Sequence, residues 1–365
     1  MKQGKTLAEL GEELNRQRKA RKDFIADTRK LSFQMSGAKP LLLLDTKENV
    51  QNYAVGELAE QQIAARLQIP YKYYQKMREL YPALLEENVN GWLHRTPEKR
   101  MIRILDGHVR AFLSDRYRRL DHLELCEAVL PIIHEMKDAE IKSCEITEEH
   151  MYIKVVNRSL QADIQVGDAV QAGFVISNSE VGLGSLRVEP LVYRLVCKNG
   201  LIAKDYSQKR YHVGRQIQGN DSAYELYSDE TIKQDDKAFF LKVQDTVRAA
   251  VDEAKFQLLV DHMKQAVDTP LMKKVPEEVK ELSDRFLLNE DERQQIMEEL
   301  FHSSDYTAYG LMNAVTAVGR NADTYERATY LERVGGDILS SLPAHTDRGI
   351  VIRQPRHIVQ FPVAK

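Results

Sequence analysis

Cysteine is scarce in this chain, and its scarcity excludes two classes of small scaffold. The 365 residues include three cysteines, which stand far apart at Cys126, Cys144 and Cys197. An odd number at such distances builds neither a disulfide framework nor a paired-cysteine metal clip. Buried free thiols in a reducing compartment are the ordinary interpretation, so we expect a cytoplasmic protein.

Long apolar runs are missing as well. No stretch approaches the ~18 uncharged apolar residues that a membrane-spanning helix requires, so we expect no association with a membrane. The leucine run 41–44 is bracketed by Lys39 and Asp45, and it predicts a buried strand instead. The basic residues near the N-terminus precede no apolar segment, so the sequence predicts no secretory signal.

The common motifs of nucleotide binding and catalysis are also absent. Neither a Walker A pattern nor GxGxxG occurs, no serine or cysteine nucleophile motif is present, and the ten histidines form no HxH or HxxxH pair. Gly182 and Gly184 follow the polar block 177–180, and a turn between two strands explains them more simply than a phosphate-binding loop. We therefore expect no cofactor and no metal, and we favour a protein that is not an enzyme.

What the chain does have is an uneven distribution of charge. Its net charge is −3, yet residues 1–30, 91–120 and 194–215 carry +4, +5 and +5, which leaves −17 for the remainder. Concentrated positive charge marks where an anionic partner could bind. The three segments form one such surface only if the fold brings them together, and three separate solvated surfaces are the alternative.

Hydrophobic periodicity predicts an α+β fold with a central, mostly antiparallel sheet and packed helices. Asp106–Gly107 separates two β-rich segments and predicts a hairpin. Pro70 predicts a turn between two helices, a layout that is similar to a helix-turn-helix. An apolar stripe at helical spacing predicts one long helix over 236–267. Further strands are predicted at 141–147, 151–157, 172–177 and 186–197.

These patterns predict four units along the chain. Residues 1–90 form a helical N-terminal unit, and residues 91–270 form the α+β core with the long helix. Residues 271–342 form a helical C-terminal unit. Three prolines after residue 342 predict an extended tail over 343–365.

Three blocks of sequence are familiar in combination, namely residues 110–117, 171–182 and 193–200. Together they resemble a phage- and plasmid-associated family that is catalogued as a domain of unknown function and often labelled phage/plasmid-like protein. The similarity extends to the helical region around residues 311–316. The resemblance implies a setting on prophages, plasmids or other mobile elements, and it implies no catalytic residues.

The leading functional prediction is a non-enzymatic nucleic-acid-binding protein that forms a homo-oligomer and prefers single-stranded DNA. The predicted order of strands, helix, strands and long helix is similar to that of single-strand annealing proteins, so annealing is part of this hypothesis. Single strands require cations that neutralise phosphates and rings on which bases stack. The candidate contacts are the cations and tyrosines of the second and third basic segments: Arg110, Arg116, Arg118, Arg194, Lys198, Lys204, Tyr206, Lys209, Arg210 and Tyr211.

Two alternatives stay open at this point. Asp121 with Glu140 and Lys142 has the arrangement of a Mg²⁺-dependent nuclease, although a helix N-cap would also explain Asp121. The second alternative is a protein that binds and modulates a host or defence partner. It is favoured by the acidic remainder of the chain, with segment 277–299 as the candidate contact.

Overall fold

The protein was analysed as a computed structural model, which describes residues 1–45, 49–117, 119–184, 186–203 and 229–342. Over these ranges two mostly antiparallel sheets are combined with helices at both termini, so the predicted α+β class is confirmed. The strands are divided between two sheets, whereas the sequence predicted one central sheet. None of the helices in these ranges is both long and apolar enough to cross a membrane.

The first sheet has six strands in the order β1-β5-β6-β4-β3-β2, in which β4 and β6 run parallel and the other neighbours antiparallel. The predicted strand at 41–44 lies in β3, and the predicted hairpin joins β5 to β6. Asp106 and Gly107 both have positive φ, at 51° and 77°, as the tight turn of a hairpin requires. The strands are β1 Lys22–Asp27, β2 Leu31–Ser36, β3 Lys39–Asp45, β4 Val50–Val55, β5 Lys99–Leu105 and β6 His108–Ser114.

The N-terminal part of the chain contains four helices, and the predicted turn at Pro70 separates two of them. They are α1 Leu7–Ala20, α2 Glu57–Arg66, α3 Tyr71–Leu80 and α4 Pro82–Arg95, of which α2, α3 and α4 pack against this sheet. The N-terminal 90 residues, predicted as helical, therefore also contain four strands. The overlooked signal in β2 is its two-residue period, because Leu31 and Phe33 are buried while Ser32 and Gln34 are exposed. Since β5 and β6 complete this sheet, the boundary predicted at residue 90 divides it.

The second sheet has five antiparallel strands in the order β11-β10-β9-β8-β7. Each of the four strands predicted between residues 141 and 197 is confirmed in it, although the last ends at Arg194 and not at residue 197. Helix α5, His122–Glu135, packs with α1 against one face of this sheet, in a core shared with Phe174 and Ile176. The strands are β7 Ala139–Ile146, β8 Met151–Gln165, β9 Asp168–Asn178, β10 Arg187–Arg194 and β11 Asn199–Ile202.

The C-terminal part of the described chain is helical, as predicted. The predicted long helix over 236–267 is two helices, because Asp252 starts a new one by accepting a hydrogen bond from the backbone N–H of Lys255. Tyr152 and Lys154, on the other face of the second sheet, contact α11 through its acidic side chains. The helices are α6 Asp229–Arg248, α7 Glu253–Val267, α8 Val275–Phe286, α9 Glu290–Ser303, α10 Ala308–Val318 and α11 Tyr325–Ser341.

Candidate nucleic-acid interface

Arg103 lies fully buried in β5, at the junction between the two sheets. Its Nε and Nη2 donate to the carboxylate of Asp23 in β1, at 3.1 Å each. Nη2 also donates to Asp121 at 2.7 Å, and Nη1 donates to the backbone carbonyl of Glu180 at 2.9 Å. A guanidinium is tolerated inside a protein only when such partners replace the lost water, so this network ties both sheets together.

Glu180, in the loop after β9, supplies the next layer of this network. One carboxylate oxygen accepts from Nη2 of Arg110 at 2.5 Å, and the other accepts from the backbone N–H of His122 at 2.6 Å. The carboxylate therefore caps the N-terminus of α5 from another part of the chain. Burial by itself would raise the pKa of Glu180, but His122, which is charged only below about pH 4, the charges of Arg110 and Arg103 and the backbone hydrogen bond outweigh it and lower the pKa to about 2.

His122 is buried in its neutral form. Burial is the main cause that lowers its pKa to about 4. The side-chain amide of Asn178 donates to Nδ1 of His122 at 3.0 Å, a hydrogen bond that only an unprotonated Nδ1 can accept. At neutral pH the network is therefore built from arginines and carboxylates, without a charge on His122.

Ion pairs join the first basic segment to the second and to Asp121, the residue that directly follows it. Arg21 contacts Asp121 at 2.5 Å, and Arg16 contacts Asp106 at 2.8 Å. In the opposite direction along the sequence, Asp23 contacts Arg119 at 3.1 Å. Two of the three basic segments predicted from the sequence therefore share one region of the described structure.

A small cleft between α1, β6 and α5 collects three arginines, which we call the arginine cleft: Arg18, Arg21 and Arg110. Arg18 is exposed, and none of the ion pairs in the described part of the chain involves it. Arg110 is mostly buried, and its Nε has no hydrogen-bond partner there. The cleft thus contains one exposed guanidinium that no described carboxylate neutralises, that of Arg18, and one buried donor without a described acceptor, Nε of Arg110.

Positive charge exceeds negative charge around this cleft. Three carboxylates, those of Asp23, Asp121 and Glu180, face the guanidinium groups. The five guanidinium groups belong to Arg18, Arg21, Arg103, Arg110 and Arg119. Two positive charges therefore remain in this group after its three carboxylates are neutralised, and Arg18 and Arg119 are its exposed arginines.

The described part of the third basic segment, residues 194–203, lies elsewhere. Arg194 makes two hydrogen bonds of 2.6 Å to Asp168, the first residue of β9, whereas Glu180 follows the last residue of that strand. A strand of 11 residues spans about 35 Å at about 3.3 Å per residue. Arg110 and Arg194 therefore belong to opposite ends of β9.

The remaining predicted contacts divide into two groups. Arg116 and Lys198 are exposed, and Lys198 adopts positive φ in the turn before β11. The other six fall outside the described residues: Arg118, Lys204, Tyr206, Lys209, Arg210 and Tyr211.

Asp121 is not brought together with the other two residues of the alternative nuclease site. Asp121 precedes α5, but its carboxylate makes no capping hydrogen bond and is occupied by Arg103 and Arg21. Glu140 follows the far end of α5, whose 14 residues span about 21 Å at 1.5 Å per residue. Glu140 pairs instead with Lys142 at 2.8 Å.

Sequence reasoning missed two features of these surfaces. Arg18 and Arg21 stood in a recognised basic run but were not assigned to the site. Because they follow the buried Leu14 by four and seven residues, helical spacing would have placed them on the same side of α1 as Leu14. The second feature is a group of Glu149, His150 and Glu326, whose potential metal-ligating atoms lie within 4.8 Å of one another. Glu326 is distant in sequence from Glu149 and His150, so no motif of fixed spacing could predict this group.

Comparison with known proteins places the chain in a family. Residues 110–332, well over half of the chain, match the family described as Domain of unknown function (DUF932). No curated protein and no solved structure matches the chain. The matched range begins at Arg110 of the arginine cleft and ends at Glu332 of α11, so it includes the whole second sheet. The chain therefore belongs to the DUF932 family, whose function is unknown.

Proposed function

We propose that this protein binds nucleic acid without modifying it, and that the arginine cleft with the neighbouring Arg119 receives the phosphate backbone. The observation that carries the proposal is the excess of two positive charges where the first two basic segments meet. Arginine is suited to this task because its planar fork donates two hydrogen bonds to one phosphate. Arg18 and Arg119 are exposed and would make the first contacts.

Two further parts of the proposal rest on the sequence. The preference for single strands depends on Tyr206 and Tyr211 as stacking rings. The family resemblance implies that the bound strand belongs to a phage, a plasmid or another mobile element in the cytoplasm, and a survey of neighbouring genes would test that setting. Binding to one strand at a time is also what a role in annealing requires.

The test is fluorescence anisotropy with labelled single-stranded and duplex oligonucleotides at two salt concentrations. The variant Arg18→Glu/Arg119→Glu should lose most of the affinity. For a single strand, the slope of log affinity against log salt should become shallower by about 0.7 for each phosphate that the variant no longer neutralises. Arg248→Glu is the matched control, since Arg248 is 50% exposed and paired with Asp245, much as Arg119 is 52% exposed and paired with Asp23. Absence of salt-sensitive binding, or equal losses in variant and control, contradicts the proposal.

A second candidate function, binding to another protein or to a second copy of this chain, is favoured by exposed apolar side chains on α3 and α4. Leu84 and Trp92 lie eight residues apart on one face of α4, and both are nearly half exposed. Tyr73, Leu80 and Tyr81 add exposed apolar area nearby along the chain. Grouped exposed apolar residues are typical of interaction surfaces.

Trp92 makes this second candidate easy to test, because it is the single tryptophan of the chain. Association through α4 should shift its fluorescence to shorter wavelength as protein concentration rises, and sedimentation should show a dimer or larger species. Leu84→Glu should abolish both effects. A monomer with unchanged fluorescence over the whole concentration range argues against self-association through this face.

A further inference from the structure

The group of Glu149, His150 and Glu326 lies where the turn between β7 and β8 meets the first turn of α11. The turn is closed by Thr147, whose backbone N–H donates to the carbonyl of His150 at 2.8 Å. The hydroxyl of Thr147 also accepts from the backbone N–H of His150 at 3.0 Å. The two elements are therefore held in a defined arrangement, and each of the three residues brings one potential ligand atom within 4.8 Å of the others.

The spacing of these atoms suits a small metal ion. Nδ1 of His150 lies 3.2 Å from Oε1 of Glu326. Two ligand atoms that are each about 2.0–2.1 Å from a tetrahedral zinc ion lie about 3.3 Å apart. An ion could therefore replace the proton between these two atoms without a large movement of either side chain.

Neighbouring hydroxyls already orient the carboxylate of Glu326. Thr147 donates to Oε1 at 2.6 Å, and the hydroxyl of Tyr152 donates to Oε2. Second-shell hydrogen bonds of this kind hold a carboxylate ligand in its charged form and in one orientation.

The negative charge of the two carboxylates in this group also favours binding of a cation. Neither Glu149 nor Glu326 forms an ion pair with a lysine or arginine among the residues that the structure describes. Arg333, which lies on the same helix as Glu326, is paired with Glu189 at 2.6 Å. Glu149 is exposed, so an ion can reach the group from solvent.

We propose that Glu149, His150 and Glu326 bind one zinc-type divalent ion, with water completing its coordination. One imidazole with two carboxylates favours zinc over magnesium, because magnesium prefers oxygen ligands alone and keeps most of its water. Met151, next to His150, is the cross-strand partner of Asn178, so the ion lies at the same end of the second sheet as Glu180. The proposal is independent of nucleic-acid binding.

The test is isothermal titration of the full-length, chelator-treated chain with Zn²⁺. One ion should bind per chain, and His150→Ala and Glu149→Gln should each weaken binding by at least about tenfold, the loss that even second-shell changes can cause. Glu148→Gln is the matched control for Glu149→Gln, because it removes the same charge from the residue that directly precedes Glu149 in the same turn. Its affinity should equal that of the unchanged protein.

Titration with Co²⁺ adds a second measurement, since visible absorption reports imidazole and carboxylate ligation. Three results overturn the proposal: no saturable binding, unchanged affinity in His150→Ala and Glu149→Gln, or equal weakening by Glu148→Gln and Glu149→Gln. Circular dichroism checks that each variant folds. If His150→Ala unfolds, the zinc affinity of the Glu149→Gln variant still tests the proposal, because Glu149 is exposed.

Discussion

Lys154 and Glu332 form an ion pair that is almost completely excluded from solvent. The two charged groups lie 2.5 Å apart, and their side chains are 0% and 1% exposed. Burial lowers the pKa of Lys154, because loss of hydration outweighs the attraction of Glu332. Lys154 belongs to β8 and Glu332 to α11, so this ion pair links the last described helix to the second sheet. Each charge makes the burial of the other tolerable.

We expect Lys154→Met to lower the free energy of unfolding by about 3–5 kcal/mol, because it leaves Glu332 buried without a counter-charge. The double variant Lys154→Met/Glu332→Leu should recover much of this loss, and urea unfolding measures both. Lys273→Ala is the control, since it breaks a solvent-exposed pair with Glu281 and should lower the free energy of unfolding far less. A loss in Lys154→Met no larger than in this control contradicts the prediction.

His122 should make the protein less stable as the pH is lowered below neutrality. Its pKa is lowered to about 4 in the folded chain, against about 6.5 in an unfolded one. Between these values the unfolded chain takes up a proton that the folded chain does not, so stability falls with falling pH, by about 3 kcal/mol in all.

Urea unfolding at several pH values checks this, with His122→Asn as the comparison. The variant should have a shallower slope between about pH 6.5 and 4, because His262, whose pKa burial also lowers, still contributes. Glu180 acts in a lower window, because its contribution is complete above about pH 4.3 and is lost as the pH falls towards 2. Identical slopes between pH 6.5 and 4 in both proteins would show that His122 is not the responsible group.

Asn90 protects the outer edge of the first sheet. Its side chain accepts from the backbone N–H of Phe33 in β2 and donates to the carbonyl of the same residue, at 2.7 Å each. We expect Asn90→Leu to cost about 1–3 kcal/mol and to promote aggregation, because it frees both backbone groups of an edge strand. Unfolding and light scattering measure the two effects. Asn88→Leu, the same change in the same helix, should have neither, and equal behaviour of the two variants refutes the role of Asn90.

The separation of the basic segments predicts a dependence on the length of the bound strand. Arg110 and Arg194 are associated with opposite ends of β9, about 35 Å apart. Lys198→Glu should therefore leave binding of an oligonucleotide of about five nucleotides unchanged and weaken binding of one of about fifteen, within the range of known site sizes. Anisotropy titrations with both lengths measure this. Weakening of both lengths alike would show that the third segment reaches the arginine cleft.

Much of the fold could be predicted from local patterns. The hairpin at Asp106–Gly107, the break at Pro70 and the strands of the second sheet follow from turn chemistry and two-residue periodicity. The division into two sheets could not be predicted in this way. β1 pairs with β5 across about 75 residues of intervening chain, and a local sequence pattern does not indicate which distant strand a strand will pair with. The break before Asp252 was missed because the apolar stripe continues on both sides of it.

The sequence by itself determined which residues are charged, which segments are basic and which elements they occupy, because these properties depend on composition and short-range periodicity. Tertiary structure alone decided which charges remain available. In the sequence, Arg110 and Arg194 are equally good candidates for phosphate contacts. In the structure, Arg110 is paired with a carboxylate 70 residues away, and Arg194 is paired with one 26 residues away. Arg18 in the arginine cleft and the group around His150 emerged only from the fold. Electrostatic energy depends on distance in space, and residues far apart in sequence meet only once the chain has folded.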